Sequence, residues 1–503
     1  MDIRKHILLA AFIGISCETW CSPKDTTAIA EHNDRWINLL AAYRDNPSFM
    51  DGAFRTSYSE LGLKVDFGHE SKALIQQMGD RHLLGKAYVD SYLKLGKKGT
   101  VWGGASYQMG EKRNLRFCST SDYELLYPYV MADTVGGNMR NEQYAFFGGY
   151  SLTMGRWAIG ANLKFRAEHE YRMIDPRPRG IVTDLRVALG ANVSLWRYKV
   201  GLGAGANIYK QTNDVEFYNE LGVKPEYHMT GLGTDYLRFA GANRTCYYKG
   251  LGFATDLRLR PRSGSGVFLS AEYHHTPYKK ILTDLNALPI STLYVDQSRV
   301  LLGWKQEGRI GWSVFGAMDA RRRQGDEHIA GSASGSEYKS LITLTMYRHY
   351  LYDYYVGAAM HIGGKHRWTL EAKAGQQEQS SRYIMLERLM EVRKAYVQAN
   401  LQYVTRIAGC VFCEWDSAIT RMVNKSSRRV MPYATMDKLT TALTDDTFAV
   451  MAGNYTSVSS RIKIMYQPKM WKGAGPFVEV GGSHAKLSDR VHAELKATVG
   501  VAF

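Results

Sequence analysis

From Leu61 to the end of the chain, apolar and polar residues alternate with a period of two. Successive side chains of an extended strand point to opposite faces, so this period predicts strands with one apolar and one polar face. The pattern is plainest between Arg156 and Tyr209. Trp157, Ile159, Ala161, Leu163 and Phe165 alternate with Ala158, Gly160, Asn162, Lys164 and Arg166. Leu185, Val187, Leu189 and Ala191 alternate with Asp184, Arg186, Ala188 and Gly190, and Val200, Leu202 and Ala204 with Lys199, Gly201 and Gly203. The chain closes on the same rhythm, with Val491, Ala493, Leu495, Ala497, Val499, Val501 and Phe503 on one face. Such runs reach about 10 residues, where strands of soluble sheets average about 5–6; a tilted membrane crossing needs the extra length.

Short and long connections also alternate. Tight turns are expected near 96–99, 154–156, 196–197, 261–265, 306–308, 363–366 and 407–409, with a longer one at 468–475. Between them lie segments at 69–82, 111–142, 170–182, 211–246, 277–296, 321–337, 378–393, 421–454 and 484–488. Outer-membrane barrels join strands by short periplasmic turns and long extracellular loops. The spacing therefore predicts an all-β chain, a single transmembrane antiparallel β-barrel of about 18 strands, within 16–20. The range depends on whether Lys339 to Ile362 is one long strand or two. Trp102, Trp157, Trp196, Trp304, Trp312, Trp368 and Trp471 fall near the proposed turns, as indole rings gather at a membrane boundary. Trp102 alone has the parity of the inner face.

Two segments precede the barrel, which is expected over 58–503. Arg4, Lys5 and His6 lead into an apolar stretch from Ile7 to Ser16 that is too short to span, so residues 1–21 read as a signal peptide. Cleavage is expected within 16–22, with lipidation of Cys17 or Cys21 as the alternative. In residues 22–57, Trp36, Leu39, Leu40 and Tyr43 share one helical face, which predicts a short periplasmic helical segment or one tucked into the barrel mouth.

Composition agrees with this picture. The 503 residues include Gly 48 and Tyr 33 against Pro 12, with no linker dividing the chain. Mean hydropathy is −0.31. No apolar run is long enough for a transmembrane helix, a test that barrel strands escape. A net charge of +16 would suggest a nucleic-acid partner in a soluble chain. Here no nucleic-acid motif or basic helix accompanies it, so none is expected.

Residues 144–209, with EYRMIDPRPRG from Glu170 to Gly180 between two strands, resemble a Bacteroides-type family of outer-membrane β-barrels of unknown function. The likeness runs over most of the chain. It implies the fold and the outer membrane of a Gram-negative cell, and it assigns no activity.

Candidate chemistry is sparse. Lys164, Arg166, Glu168, Arg186, Lys199, Arg258, Glu272, Arg461, Lys463, Glu494 and Lys496 have the parity of the barrel interior and are the candidate lumen lining. A small excess of bases there would favour anions in an open pathway. Gly201, Gly203 and Gly205 leave space on the same face. Asp175, Arg177 and Arg179 belong to an outer loop, either held by Asp175–Arg contacts or presenting the arginines to an anion. Glu272 with His274, and Glu168 with Glu170, share a face, but charges at alternate positions are ordinary in a polar lumen. Without a nucleophile elbow, a zinc-binding His-Glu-x-x-His or a phosphate loop, no enzyme, cofactor or metal site is expected. Cys410 and Cys413 read as structural. Cys118 and Cys246 fall in or beside outer loops, where an oxidising compartment allows a disulfide between them. Phe503, an aromatic last residue, reads as a barrel-assembly signal.

These features predict a channel or accessory component for uptake of small solutes or nutrients. The alternative is a plugged structural or docking barrel that partners surface proteins; a hydrophobic-solute channel and a barrel hydrolase rank below both. Expected partners are outer-membrane lipid, the barrel assembly machinery, and surface lipoproteins or a transport complex.

Overall fold

The computed structural model describes residues 26–219, 224, 226–236, 245–283, 287–332, 340–407, 410–434, 439–467 and 474–503. The signal peptide and its cleavage site, Trp471, and parts of the turns at 407–409 and 468–475 lie outside the described residues.

Eighteen strands make one antiparallel sheet closed on itself. They are β1 Tyr58–Glu70, β2 Arg81–Leu95, β3 Gly99–Leu115, β4 Gly137–Met154, β5 Trp157–Tyr171 and β6 Arg177–Leu195. Then come β7 Tyr198–Glu216, β8 Cys246–Pro261, β9 Gly266–Leu282, β10 Leu288–Gln306, β11 Ile310–Ala330 and β12 Ser340–Ile362. The last six are β13 His366–Tyr383, β14 Arg388–Ile407, β15 Val411–Val430, β16 Tyr455–Tyr466, β17 Gly475–Leu487 and β18 Arg490–Ala502. Each strand pairs with the next in chain order, and β1 closes on β18 from Glu60 opposite Ala502 to Glu70 opposite His492. Phe503 extends that seam: its N–H donates to the Ser59 carbonyl and its carbonyl accepts from the Ser59 N–H, both at 2.8 Å. Closure leaves no edge, so the wall satisfies its own backbone groups without water. The connections alternate between opposite ends, here the turn end and the loop end, but the loop-end ones are not uniformly long. β9 runs to Leu282 and β10 starts at Leu288, and β13 runs to Tyr383 and β14 starts at Arg388, so the segments 277–296 and 378–393 expected as loops are largely strand. The long segment after Lys339 is one strand: Leu351 at its middle faces Arg321 on one side and Gln379 on the other.

The period of two sets the faces. Leu61, Leu63, Val65 and Phe67 are exposed on the outside of β1, whereas Glu60, Lys64 and Asp66 point inward and make ion pairs there. Water would tolerate such a continuous apolar wall poorly; hydrocarbon suits it. Trp157, Trp304, Trp312 and Trp368 are exposed near the turn end, and Trp196 caps a turn. Trp102 faces inward and packs against Met50, Phe54 and Tyr92.

The interior is filled from both ends. At the turn end lie helices α1 Thr26–Asn33 and α2 Arg35–Asn38, followed by 3-10 turns Ala41–Asp45 and Pro47–Gly52. Asp34 caps α2 by accepting from the Trp36 N–H, and Asn46 caps the last turn by accepting from the Ser48 N–H. At the loop end, helix α3 Tyr123–Leu126 and the short strand Met131–Ala132 enter the barrel, and that strand pairs with Tyr227–Gly231. Leu126, Tyr129 and Met131 pack there on the wall residues Tyr209, Tyr248 and Tyr278. Helix α4 Leu439–Ala452 lies over the same end.

Candidate functional site

The inner closure is built from residues that recur around the whole circumference. Trp36 is buried, its Nε1 donates to Glu307 at 2.7 Å, and the Lys305 ammonium sits 4.3 Å from its ring centroid. Lys305 also donates to the Trp36 carbonyl at 3.0 Å. The Tyr43 hydroxyl lies between the carbonyls of Leu259 and Leu269, at 2.7 and 2.9 Å. Asn46 donates to Asp256 at 2.9 Å, Asn192 donates to the Ser48 carbonyl at 2.6 Å, and Asp51 pairs with Lys199 at 3.1 Å. Across the lumen, Arg35 pairs with Glu371 at 3.1 Å and Arg367 with Asp34 at 3.2 Å. The segment is thus held by hydrogen bonds and ion pairs around three aromatic anchors, Trp36, Tyr43 and Phe49.

Glycines on the wall make room for it. A β-carbon at Gly160 would strike the Pro47 backbone, one at Gly190 or Gly203 would strike Asn46 or Asp256, and one at Gly201 would strike Phe49. This corrects the expectation that Gly201 and Gly203 leave space for solute. The space exists and the chain's own N-terminal segment fills it.

The predicted lumen residues all lie on the inner face, mostly as ion pairs. Arg166 meets Asp122 and Glu168; Arg258 meets Asp256 at 3.1 Å and Glu272 at 2.8 Å. Arg461 meets Glu414 and Asp416, and Glu479 at 3.0 Å. Lys463 meets Glu60 at 3.1 Å, Arg186 meets Asp184 at 3.0 Å, and Lys496 meets Glu494 at 2.6 Å. Lys164 is a charged neighbour of Asp45 in the inner closure. Asp66, His82 and Glu494 converge within 4.8 Å as metal ligands would, but Lys64 and Lys496 stand 3.9 and 3.7 Å from Asp66 and supply the positive charge. At the loop end, Arg177 donates to Asp175 at 2.8 Å and Arg179 to His169 at 3.1 Å. Asp175 also accepts from the Tyr218 and Asn219 N–H groups, at 2.9 and 2.8 Å, so this loop is held by its own contacts.

Cys118 and Cys246 are not joined by a disulfide. Both are buried, and the Cys118 thiol donates to the Thr120 carbonyl at 3.1 Å, where the inward fold of residues 115–137 directs it.

Two cavities flank the closures. One of about 400 Å³ lies against the inner closure and is polar, with Arg35, Asn38, Glu371, Lys373, Asp416 and Arg461 in its lining. The larger, about 770 Å³, lies at the loop end. Leu125, Tyr127, Tyr347, Leu351, Leu443 and Met451 contribute apolar wall, and Arg321, Arg323, His349, Gln379 and Ser381 bring polar groups from three adjacent strands. Arg323 donates to the Tyr127 carbonyl at 2.9 Å and the Glu124 carbonyl at 2.6 Å. Its Nε has no hydrogen-bond partner among the described residues. The sequence reading missed these residues because it assigned 321–337 to a loop. β11 in fact continues to Ala330, which gives Arg321 and Arg323 inner-face parity and turns Arg322 outward.

The molecule is therefore a transmembrane β-barrel whose lumen is closed by its own N-terminal segment at one end and by infolded loops at the other. The chain belongs to the family of unknown function DUF6850, which it matches over residues 47–503. No curated protein matches it. Among solved structures, the ferric preacinetobactin receptor BauA from Acinetobacter baumannii is similar at TM-score 0.38 and 8% identity, over 89% of this chain and 80% of that one. The outer membrane transporter YddB from Escherichia coli is similar at TM-score 0.40 and 8% identity, over 88% and 81%. A TodX monoaromatic hydrocarbon channel variant gives TM-score 0.31 and 9% identity, over 92% and 94%. These are distant likenesses of barrel architecture alone.

Proposed function

We propose that the protein sits in the outer membrane of a Gram-negative cell and takes up a small solute, with the loop end outside and the N-terminal segment as the inner gate. The cavity of about 770 Å³ beneath the loops carries this reading. It has the size and mixed lining of a small-molecule site, which typically occupies about 300–1,000 Å³. A barrel serving only as a scaffold for surface proteins has no need of such a space. The polar attachment of the N-terminal segment supports a gate, because hydrogen bonds and ion pairs exchange for water at small net cost. The many ion pairs among the lumen charges favour the docking barrel as the second reading.

A tether across the gate separates the two. Asp51→Cys and Lys199→Cys replace a pair now 3.1 Å apart, and a short bifunctional thiol reagent joins them. Reconstituted in liposomes, the untethered variant is expected to admit sugars or amino acids that cause swelling, and the tethered one to block them. Liposomes that resist every solute in both states would favour docking, and equal flux in both would remove the N-terminal segment as the gate.

A further inference from the structure

Arg323 is a cation in need of a partner. The residue is only 8% exposed, and its guanidinium contacts two backbone carbonyls and no carboxylate among the described residues. Buried charges are ordinarily paired, because desolvation costs far more than neutral acceptors return. Among the described residues its Nε lacks even a neutral acceptor. Two positions earlier on the same inner face, Arg321 lines the same cavity, is exposed, and likewise meets no carboxylate among the described residues. His349 turns its Nδ1 to Ser381 at 2.9 Å and brings no negative charge. Three acids line the same cavity: Asp133 pairs with Arg172 at 2.8 Å, Asp235 comes from the inserted loop strands, and Glu124 is exposed and close enough to act on Arg323 only as a through-space charge, without an ion pair.

Next to this cationic floor the walls are apolar, with Leu125, Leu351, Leu443, Val450 and Met451 among them. A ligand that satisfies both parts is an amphiphile with a carboxylate head and a hydrocarbon or aromatic tail. We infer that the loop-end cavity is a binding site for such an anionic amphiphile, its carboxylate received by Arg321 and Arg323 and its tail by the walls under helix α4. This deepens the uptake reading and rests on it for its physiological meaning, but binding is measured apart from flux.

The test uses the full chain in lipid nanodiscs, with empty nanodiscs as the partition control and octanoate as the probe. Octanoate is expected to bind at least tenfold more tightly than octan-1-ol or octylammonium. Arg321→Gln, which breaks no hydrogen bond or ion pair among the described residues, is expected to weaken octanoate severalfold and leave octan-1-ol unchanged. Leu443→Trp fills the apolar wall and is expected to weaken both. An acid bound no better than the alcohol, or octanoate affinity indifferent to both variants, overturns the site. Failure here with liposome swelling intact would leave the uptake reading standing.

A second feature stands on different residues. Lys210 faces Lys249 across β7 and β8, and Lys249 faces Lys279 across β8 and β9. All three are exposed on the outer wall at the loop end, and none meets a carboxylate among the described residues. Like charges directly opposite each other in a sheet repel, with side chains only about 5 Å apart. The next outward residues toward the turn end are Ile208 and Leu251, exposed and apolar, so the row lies where hydrocarbon gives way to headgroups. The geometry points to a docking row for the phosphates of an anionic membrane lipid in the leaflet at the loop end. Detergent-purified protein incubated with a bis-phosphorylated lipid A is the test, read by native mass spectrometry. The Lys210→Gln, Lys249→Gln, Lys279→Gln triple variant is expected to bind about a hundredfold more weakly, whereas Lys97→Gln at the turn end binds as the parent does. Equal retention by the triple variant overturns the row; displacement by millimolar inorganic phosphate alone would show a free-anion site and overturn it equally.

Discussion

Phe49 lies over Gly201 so closely that a β-carbon on the glycine would overlap the ring. The two residues belong to the inner closure and to the wall strand β7, and their fit requires the absence of a side chain on the wall. Gly201→Val is therefore expected to displace Phe49 while leaving the strand itself content, since valine suits an extended chain. Cross-linking between Asp51→Cys and Lys199→Cys should fall sharply in that background, with heat-modifiable gel mobility of the barrel retained.

Trp36 anchors the other side of the same segment. Trp36→Ala removes its stacking on His361, at 5.4 Å between centroids, together with the Glu307 hydrogen bond. Truncating a buried aromatic costs about 3–5 kcal/mol, here taken from the docking of the segment and not from the wall. Hydrogen exchange of the amides in 35–52 is expected to accelerate about a hundredfold or more, with barrel amides unchanged.

Acid should loosen the inner closure. His32 stacks on Phe54 at 3.7 Å and donates from Nε2 to the Thr56 carbonyl at 2.9 Å. Burial pushes its pKa below the ordinary 6.5, against smaller upward effects from Glu31 and Glu60 and a downward one from Arg44. The docked state therefore binds fewer protons than the undocked one. Its stabilising share is complete above pH 6.5 and is lost as the pH falls below that value, by at most about 1.4 kcal/mol per pH unit. Exchange of the 35–52 amides, corrected for intrinsic rates, should rise between pH 7 and 5, and His32→Gln should flatten that rise.

The orientation is open to direct labelling. Cysteines placed at Lys97 and Gln306 lie at the turn end and are expected to resist impermeant maleimides on intact cells. One placed at Arg177, at the loop end, should react. The reverse result would turn the barrel over and with it the sense of the gate.

The seam depends on the last residue. Removing Phe503 deletes both 2.8 Å hydrogen bonds to Ser59 at the junction of β1 and β18 and an aromatic ring that is exposed to the surroundings. Folded, heat-modifiable barrel in the membrane fraction is expected to drop severalfold. Phe503→Tyr keeps the backbone pair and the ring and should assemble normally.

Strand number, pairing order and facing were legible because each is local. A period of two marks the two faces of a strand wherever it occurs, and Leu61, Leu63, Val65 and Phe67 face outward for the same reason as Leu495, Val499 and Val501. Turns close enough in sequence to join neighbouring strands then leave one antiparallel order, which the β1–β18 seam completes. The lengths of the outer connections were less legible, because β9, β10, β13 and β14 run on into segments expected as loops. The doubt over Lys339 to Ile362 was also local, and the ladder through Leu351 resolves it.

What occupies the lumen was not legible. Small residues at Gly201 and Gly203 read alike whether they border water or another part of the chain, and a charge of inner parity reads alike whether paired or bare. Only contacts between distant segments distinguish these cases: Trp36 with Lys305, Phe49 with Gly201, Arg323 with the carbonyls of Glu124 and Tyr127. Sequence periodicity reports which way a side chain points from its own strand. What it meets there depends on how the barrel curves and which segments fold back into it, and the tertiary structure alone decided that.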